Sequence, residues 1–367
     1  MTETSASARV ERSSTKTREA LDLAGVRELA VLERGGLIES RHLGAAVVLS
    51  PEGTLEREIG DGAALVYPRS SLKPMQALTV MRSGVVLEGE RAVLATASHS
   101  GTDEHVRVVR EMLASAGLSE GDLRCPADWP SDADALFRAR AEGRGARAIT
   151  MNCSGKHAAF LMACTANGWS THDYLDPAHP LQQRVRQSVE EFTGETVGCV
   201  GVDGCGAPLF AIGLRGLARA FGRVAGAGLS GGDPHAVTLM SAILKYPWAI
   251  AGPGRANTIA IEQLGILAKG GAEGVIAMAT QDGTAVAVKI LDGSSRVTTL
   301  VALELLAQHG AISRADADRV LALTVEPVLG GGVPVGRLRV SGELGVEPPR
   351  GGADDILKTS THHIGEQ

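Results

Sequence analysis

The sequence predicts an α+β fold: an antiparallel sheet built from N- and C-terminal strands with packed helices, plus a mainly helical second lobe. Three observations indicate this class. Apolar and polar residues alternate before residue 70, apolar residues then recur at helical spacing to about residue 270, and strand patterns return afterwards. A hydrophobic content of 44% is sufficient for a sizeable core, and a length of 367 residues predicts roughly two domains or lobes.

The first strands are predicted around two turns. The segment LAVLERGGLIESRHLGAAVVL alternates on both sides of Gly35 and Gly36, and PEGTLEREIG continues the alternation after a turn at residues 51–53. Alternating runs joined by turns of this composition are typical of an antiparallel meander. The N-terminal lobe is therefore expected to open with strands.

A helical region and a second set of strands follow. Segments from Ser70 to about residue 270 place apolar residues at helical spacing, with Asp, Pro or Gly at their ends. Two apolar runs then flank Asp282 and Gly283, which predicts a hairpin. A helix over 294–310 and an extended stretch over 330–340 complete the pattern.

The ends of the chain set the expected domain boundaries. Residues 1–25 and 346–367 are polar and lack apolar periodicity, so we expect two poorly ordered tails. Between them we expect one two-lobed domain over residues 26–345, with the helical insert at about 100–270.

Composition argues against several classes of partner. The formal net charge is -6 and aromatic residues, at 3%, do not interleave with arginines, so a nucleic-acid partner is not expected. The N-terminus has no apolar signal core, and no run reaches the roughly 20 apolar residues of a membrane span, so we expect a cytoplasmic protein. Five cysteines, an odd number, favour reduced thiols or metal ligands over disulfides.

Ser70 and Lys73 are the first candidates for chemistry. A spacing of three places both side chains on one face of a helix, and Pro74 is tolerated only in a first turn. The pair is therefore expected at a helix N-terminus, where free backbone N–H groups can stabilise an oxyanion. The alternative is that a serine caps the helix and Lys73 is a solvated first-turn residue.

A lysine can act as a base only in its neutral form, and a free lysine has a pKa of about 10.4. Desolvation and a neighbouring cation must therefore lower the pKa of a catalytic lysine. Arg69 is one neighbouring cation, and Lys289 in the apolar run AVAVKILDG is another amine expected among apolar groups. The alternative for Lys289 is an edge-strand lysine whose amine reaches solvent.

Two short segments carry cysteines beside glycines. Cys153 lies in MNCSGKHAAF and Cys205 in GVDGCGAP, and each segment is expected to lead into a helix. On a helix, either Lys156 or His157 could share a face with Cys153, and two thiolates with one nitrogen suit zinc. By donor chemistry His157 is the better nitrogen, because amines are unusual ligands. The alternative is that these are small buried cysteines at turns.

Seven segments, in chain order from about residue 30 to about residue 300, resemble the rhizobial-type L-asparaginase family, also called asparaginase II. They are ERGGLIESRHLGAAVV, RSSLKPMQAL, ATASHSG, NCSGKH, VDGCGAP, YPWAIAGPGR and VAVKILDG. The resemblance implies a two-lobed, serine-β-lactamase-like or glutaminase-like fold and a homodimer. It also implies that the substrate is a small amino-acid amide.

The resemblance also implies a set of site residues. It implies catalysis by two serine–lysine pairs, a zinc site that contains a lysine in place of His157, and an aspartate close to the metal. The implied catalytic pairs are Ser70 with Lys73 and Ser98 with Lys289, and the implied metal ligands are Cys153, Lys156 and Cys205, with Asp203 close by. For a zwitterionic substrate, Arg69 is our candidate for the carboxylate and Asp203 for the ammonium group.

The function that follows is hydrolysis of L-asparagine to aspartate and ammonia through a covalent acyl-enzyme. One alternative is a β-lactam-processing or peptidoglycan-processing serine amidase on the same fold, although the Ser-Asp-Asn and Lys-Thr-Gly elements of such enzymes are missing from the expected positions. A second alternative is a catalytically silent homologue that binds zinc or a metabolite.

Overall fold

The computed structural model describes residues 19–345. The strands of this part are β1 (Arg27–Arg34), β2 (Leu37–Leu49), β3 (Leu55–Ile59), β4 (Cys199–Val202), β5 (Pro208–Ala211), β6 (Leu267–Gly271), β7 (Val275–Ala279), β8 (Ala285–Ile290), β9 (Val328–Gly330) and β10 (Val333–Val340). The helices are α1 (Lys73–Arg82), α2 (Gly89–Thr96), α3 (Asp103–Ser115), α4 (Ala133–Ala141), α5 (Ser154–Asn167), α6 (Pro180–Thr193), α7 (Leu214–Ala225), α8 (Ala227–Ser230), α9 (Pro234–Lys245), α10 (Trp248–Ala251), α11 (Ala256–Leu264), α12 (Thr298–Gln308) and α13 (Arg314–Thr324).

Strands from the two ends of the chain form one antiparallel sheet. Its order is β6-β7-β8-β2-β1-β10-β9, and β3 pairs with β2. The N-terminal strands β1 and β2 therefore lie between β8 and β10, which come from the last third of the chain. The predicted α+β class, with a sheet assembled from both ends, is confirmed.

The β7–β8 hairpin forms where the sequence predicts it. The N–H of Thr280 donates to the carbonyl of Thr284 at 2.9 Å, and Gly283 in the turn has φ 103°. Glycine suits this turn because an L-residue with a side chain rarely adopts that φ.

Helices cover both faces of the sheet around β7 and β8. All four residues from Ala285 to Val288 are buried although their side chains alternate between the two faces. Helices α7 and α12 each pack against β7 and β8. Because helices bury both faces of β7 and β8, the sequences of these strands up to Val288 are apolar and do not alternate with polar residues.

The helices from α1 to α11 make up the mainly helical region, but a hairpin interrupts it. Strands β4 and β5 pair within it, and Cys205 lies in their connecting turn rather than directly before a helix. The expectation of a helix after GVDGCGAP is therefore wrong. Four-residue strands are too short for periodicity to distinguish them from the start of a helix.

Some residues of the predicted N-terminal tail pack onto the domain. Leu21 is buried, its N–H donates to the carbonyl of Leu65 at 3.3 Å, and the N–H of Asp61 donates to the carbonyl of Gly25 at 2.6 Å. Ordered chain thus begins before residue 26. Residues 1–18 and 346–367, where we predicted tails, lie outside the described residues. Within residues 19–345, every helix is too short or too polar to cross a membrane.

Candidate active site

The predicted pair of Ser70 and Lys73 lies at the start of α1. Arg69 to Leu72 form a single 3-10 turn, and Lys73 is the first residue of the helix, followed by Pro74. Arg69 has φ 53°, a conformation that costs a residue with a side chain about 1 kcal/mol or more. This strained residue directly precedes Ser70, which is half-buried. Within residues 19–345, the Ser70 hydroxyl has no hydrogen-bond partner and is available to a ligand.

Lys73 turns its amine into the interior and towards a second serine. The side chain is 1% exposed, and Nζ donates to the carbonyl of Ala97 and to Ser98 Oγ, the latter at 3.0 Å. Ser98 follows helix α2, and its own N–H donates to the carbonyl of Ile250 at 2.9 Å. Helices α1 and α2 thus place Lys73 and Ser98, one residue from each implied pair, against each other. The alternative of a solvated first-turn lysine is wrong, because almost none of the side chain reaches solvent.

A second amine, Lys269 on strand β6, also contacts Ser98. Lys269 Nζ donates to Ser98 Oγ at 2.9 Å and to the carbonyl of Gly270 at 2.8 Å, and its side chain is fully buried. Burial lowers the pKa of Lys269 well below its ordinary value, and the nearby charge of Lys73 lowers it further. The surroundings of Lys269 therefore favour the neutral form of its amine. Sequence reasoning missed it.

Lys289, the predicted partner of Ser98, lies elsewhere. Its Nζ donates to the carbonyls of Glu273 at 2.5 Å and Ile290 at 2.7 Å, and its pKa is lowered by burial. Strand β8 is separated from β6 by β7, so at a strand spacing of about 4.8 Å the two lysines start roughly 10 Å apart. Pairing Ser98 with Lys289 was therefore wrong. Both lysines interrupt apolar strands, and only strand order distinguishes them.

Buried polar residues hold the Ser98 segment in place. Gly101 donates its N–H to His99 Nδ1 at 3.1 Å, so Nε2 carries the proton and donates to Ser154 Oγ at 2.8 Å. Burial lowers the pKa of His99 well below its ordinary value, which keeps the ring neutral. His99 thereby ties the residue after Ser98 to the first residue of α5. No spacing in the sequence indicated this role.

The two predicted thiols meet beside this cluster. Cys153 caps α5, Cys205 comes from the β4–β5 turn, and both are buried. Lys156 Nζ donates to Cys205 Sγ at 2.9 Å. A hydrogen bond from Cys205 lowers the pKa of Cys153 well below its ordinary value, and the same bond raises the pKa of Cys205. The shifts favour the thiolate form on Cys153 rather than on Cys205, and the nearby thiols raise the pKa of Lys156 despite its burial.

Asp203 joins the thiols to the turn that carries Ser70. Its Oδ1 accepts from Arg69 Nε at 2.8 Å, and its Oδ2 lies 3.6 Å from Cys205 Sγ. Burial opposes ionisation of Asp203, but the charges of Lys156 and Arg69 outweigh burial and lower its pKa. Both predicted substrate-binding residues, Arg69 and Asp203, therefore lie at the site and pair with each other.

The donor set for a metal is unusual. Among the described residues, no group of three His, Cys, Asp or Glu side chains could hold a metal ion. His157 Nδ1 is 2.8 Å from the Tyr174 hydroxyl, so this ring nitrogen already has a partner. What lies together is two thiols and the amine of Lys156. This set fits zinc in number and softness provided that the amine binds in its neutral form.

The fold and the site define a class of protein: an α+β chain with two serines and two buried lysines near the start of α1 has the groups of an amide-hydrolysing enzyme, an amidohydrolase. The particular family follows from a family model. The chain belongs to the L-asparaginase II family, whose model matches residues 30–340. Among curated proteins, none matches the chain significantly.

Solved structures similar to the chain include a β-lactamase from Mycobacterium bovis, with 14% identity, a TM-score of 0.33 and coverage of 77% of this chain and 95% of that chain. A Bacillus glutaminase solved in 4.3 M NaCl has 13% identity, a TM-score of 0.35 and coverage of 74% and 92%. Mglu in its native form, also in 4.3 M NaCl, has 14% identity, a TM-score of 0.36 and coverage of 73% and 61%.

Proposed function

We propose that the protein hydrolyses the side-chain amide of L-asparagine to aspartate and ammonia through an ester on Ser70. The observation that carries the proposal is the pair of amines, Lys73 and Lys269, that share the hydroxyl of Ser98 next to the Ser70 turn. Family membership supports the substrate class, because the matching model describes an L-asparaginase.

The two amines supply the base. Two full positive charges on either side of one hydroxyl, in a buried site, would repel strongly, so the Lys73–Ser98–Lys269 chain is expected to leave one amine neutral. Lys73 passes a proton through the Ser98 hydroxyl to the neutral Lys269, and then takes the proton of Ser70 while the oxygen attacks the amide carbon. The same proton then passes to the departing nitrogen, which leaves as ammonia. Water repeats the sequence on the ester and regenerates Ser70.

The start of α1 supplies the oxyanion site. Ser71 and Lys73 already donate their backbone N–H groups to the carbonyls of Pro68 and Ser70, and Pro74 has no N–H, so α1 contributes chiefly the positive potential of its dipole at this end. A tetrahedral intermediate on Ser70 would form at this end of α1. A fixed positive potential of this kind favours the negative charge that develops on the oxygen during acyl transfer.

The α-ammonium group of the substrate requires an acceptor, and its α-carboxylate requires a cation. Asp203 remains our proposal for the ammonium group, because it is ionised and borders the Ser70 turn. The carboxylate has two candidate partners, Arg69 beside the nucleophile and Arg255 in an adjoining pocket.

The proposal is tested by ammonia release from asparagine and glutamine, measured side by side with and without a zinc chelator. We expect release from asparagine. Binding of asparagine without ammonia would indicate a silent homologue, and no turnover of either amide would reject the proposal. Slow turnover of nitrocefin alone would instead favour the β-lactam-processing alternative.

Zinc is proposed to bind Cys153, Lys156 and Cys205. When bound, it would supply a fixed positive charge that orients Asp203 and the substrate. Cys153→Ser is expected to lose most of the bound zinc, because one of two thiolate ligands is removed. Elemental analysis of the purified protein measures this, with Cys199→Ser as the control because Cys199 is an exposed cysteine. Equal zinc content in both variants would remove the assignment.

Gly271→Ala is expected to displace the Ser70 turn. A Cβ at residue 271 would lie 2.5 Å from the carbonyl oxygen of Pro68 and 3.1 Å from the nitrogen of Ser70. Such overpacking costs about 1–3 kcal/mol, and the shifted nucleophile should lower kcat. Urea denaturation and steady-state ammonia release measure the two effects.

Gly270→Ala is the matched control for Gly271→Ala. The nearest atoms to a Cβ at residue 270 are those of the Asn257 side chain at 3.6 Å, an ordinary contact. A Gly271→Ala variant as stable and active as Gly270→Ala would show that the close approach of β6 does not position Ser70.

A further inference from the structure

A cavity of about 310 Å³ opens beside the serine–lysine cluster. Its lining includes Ser98 of the cluster, Gly270 and Gly271 of β6, and Arg255 and Asn257. Its volume lies at the lower end of the range for ligand pockets, which suits a small molecule rather than a polymer. A ligand in this cavity can therefore contact Ser98 and Arg255 together.

Arg255 is the only charged residue among those that line the cavity within residues 19–345. Its Nη2 donates to the carbonyl of Ser131 at 2.7 Å, and it forms no ion pair with a described residue. Arg69, in contrast, has Asp203 at 2.8 Å and Glu273 at 3.8 Å. The charge of Arg69 is already compensated, whereas that of Arg255 is available to a ligand.

Two helices begin at the same cavity. Arg255 directly precedes α11, and the first residues of α11 and of α12 both line the pocket. Helix N-termini present free N–H groups and positive potential. Here they add to a guanidinium that has no acidic partner among the described residues, so the cavity favours an anionic group.

We propose that Arg255 binds the substrate's α-carboxylate in this cavity and thereby selects amino-acid amides over simple amides. The inference rests on the proposed function, because the amide must reach Ser70 while the carboxylate reaches Arg255. In asparagine only two carbons separate the amide carbon from the carboxylate, so the amide has to lie at the Gly271 edge of the cavity, where β6 approaches the Ser70 turn. Arg69 then acts on the Ser70 turn through Asp203 rather than on the carboxylate.

The test compares asparagine with 3-aminopropanamide, which is asparagine without its carboxylate. Arg255→Gln is expected to raise KM for asparagine by about 10- to 100-fold, the usual loss for a charge-assisted hydrogen bond, with kcat changed only a few-fold. For 3-aminopropanamide, kcat/KM should be the same in Arg255→Gln and wild type. Arg255→Lys should recover part of the affinity for asparagine.

Arg69→Gln and Arg138→Gln complete the set. Arg138 forms a surface pair with Asp103, so Arg138→Gln should behave as wild type with both substrates. The inference is overturned if Arg69→Gln, and not Arg255→Gln, shows the carboxylate-dependent loss. It is also overturned if Arg255→Gln loses activity equally on both substrates, because that indicates a structural role.

A separate binding measurement distinguishes failure of this inference from failure of the proposed function. Calorimetry of asparagine binding to wild type and Arg255→Gln requires no turnover. Weaker binding in Arg255→Gln supports the carboxylate site even if wild type releases no ammonia. Equal binding in both proteins, or no binding to either, overturns the inference.

Discussion

Ser70→Ala is expected to lower kcat for ammonia release by about 10⁴-fold or more, because the variant has no oxygen to form the ester. The side chain is half-buried and its hydroxyl has no hydrogen-bond partner among the described residues, so the fold should keep its stability. Steady-state ammonia release and a urea denaturation curve measure the two quantities. A fully active Ser70→Ala would exclude this serine as the nucleophile.

Ser71→Ala is the matched control. The Ser71 hydroxyl is buried and donates to the carbonyl of Lys269 at 2.9 Å, so its loss should cost about 1 kcal/mol of stability and leave catalysis far closer to wild type.

Ser98 is the rival nucleophile, because it already contacts two amines. Labelling with a diazoketone analogue of asparagine, followed by peptide mass spectrometry, separates the two serines. We expect the adduct on Ser70. An adduct on Ser98 would reverse the two roles.

Lys269→Met is expected to lower kcat by about 10²- to 10⁴-fold, the usual contribution of a positioned acid–base group. Lys269 is fully buried and contacts Ser98, and methionine has a similar length without the amine. Ammonia release over a range of pH is the measurement, and the loss should appear in kcat.

Lys289→Met tests the corrected assignment. Lys289 donates to the carbonyls of Glu273 and Ile290 and does not reach Ser98, so its replacement should leave kcat within a few-fold of wild type. If Lys289→Met lost more activity than Lys269→Met, the pairing seen in the structure would not be the working one.

Lys269→Met should also change how the free energy of unfolding depends on pH. Burial lowers the pKa of Lys269 below its usual 10.5, so between the folded-state pKa and 10.5 the unfolded chain binds more protons than the native protein. The wild-type free energy of unfolding therefore gains a contribution that grows with pH across this window and is lost as pH falls. Lys269→Met lacks it, so its stability relative to wild type should decrease as pH rises towards 10. Parallel stability curves would contradict a buried neutral amine.

Local patterns predicted much of the fold. The turn at Asp282 and Gly283, the return of strands after about residue 270 and the helix start at Lys73 are all present, because each depends on residues close in sequence. The β4–β5 hairpin escaped prediction because its strands have four residues each. The burial of Leu21 was not predicted either, because it depends on tertiary contacts with residues that are distant in sequence.

The candidate site also combines features that the local sequence predicted with one that it did not. The Ser70 and Lys73 spacing, and the segments around Cys153 and Cys205, are local features, and the structure brings these residues together in one region. The partner of Ser98 is not local: Lys269 and Lys289 each interrupt an apolar strand, and nothing in either segment says which strand lies at the sheet edge next to α1.

The sequence by itself determined the α+β class, the family resemblance and the residue types available for chemistry, because these depend on composition, spacing and order along the chain. Only the tertiary structure decided which lysine meets Ser98 and which arginine lacks an acidic partner among the described residues. The physical reason is that strand order and helix packing set distances between residues that are about 170 positions apart, and an amine a few ångströms farther away can no longer exchange a proton.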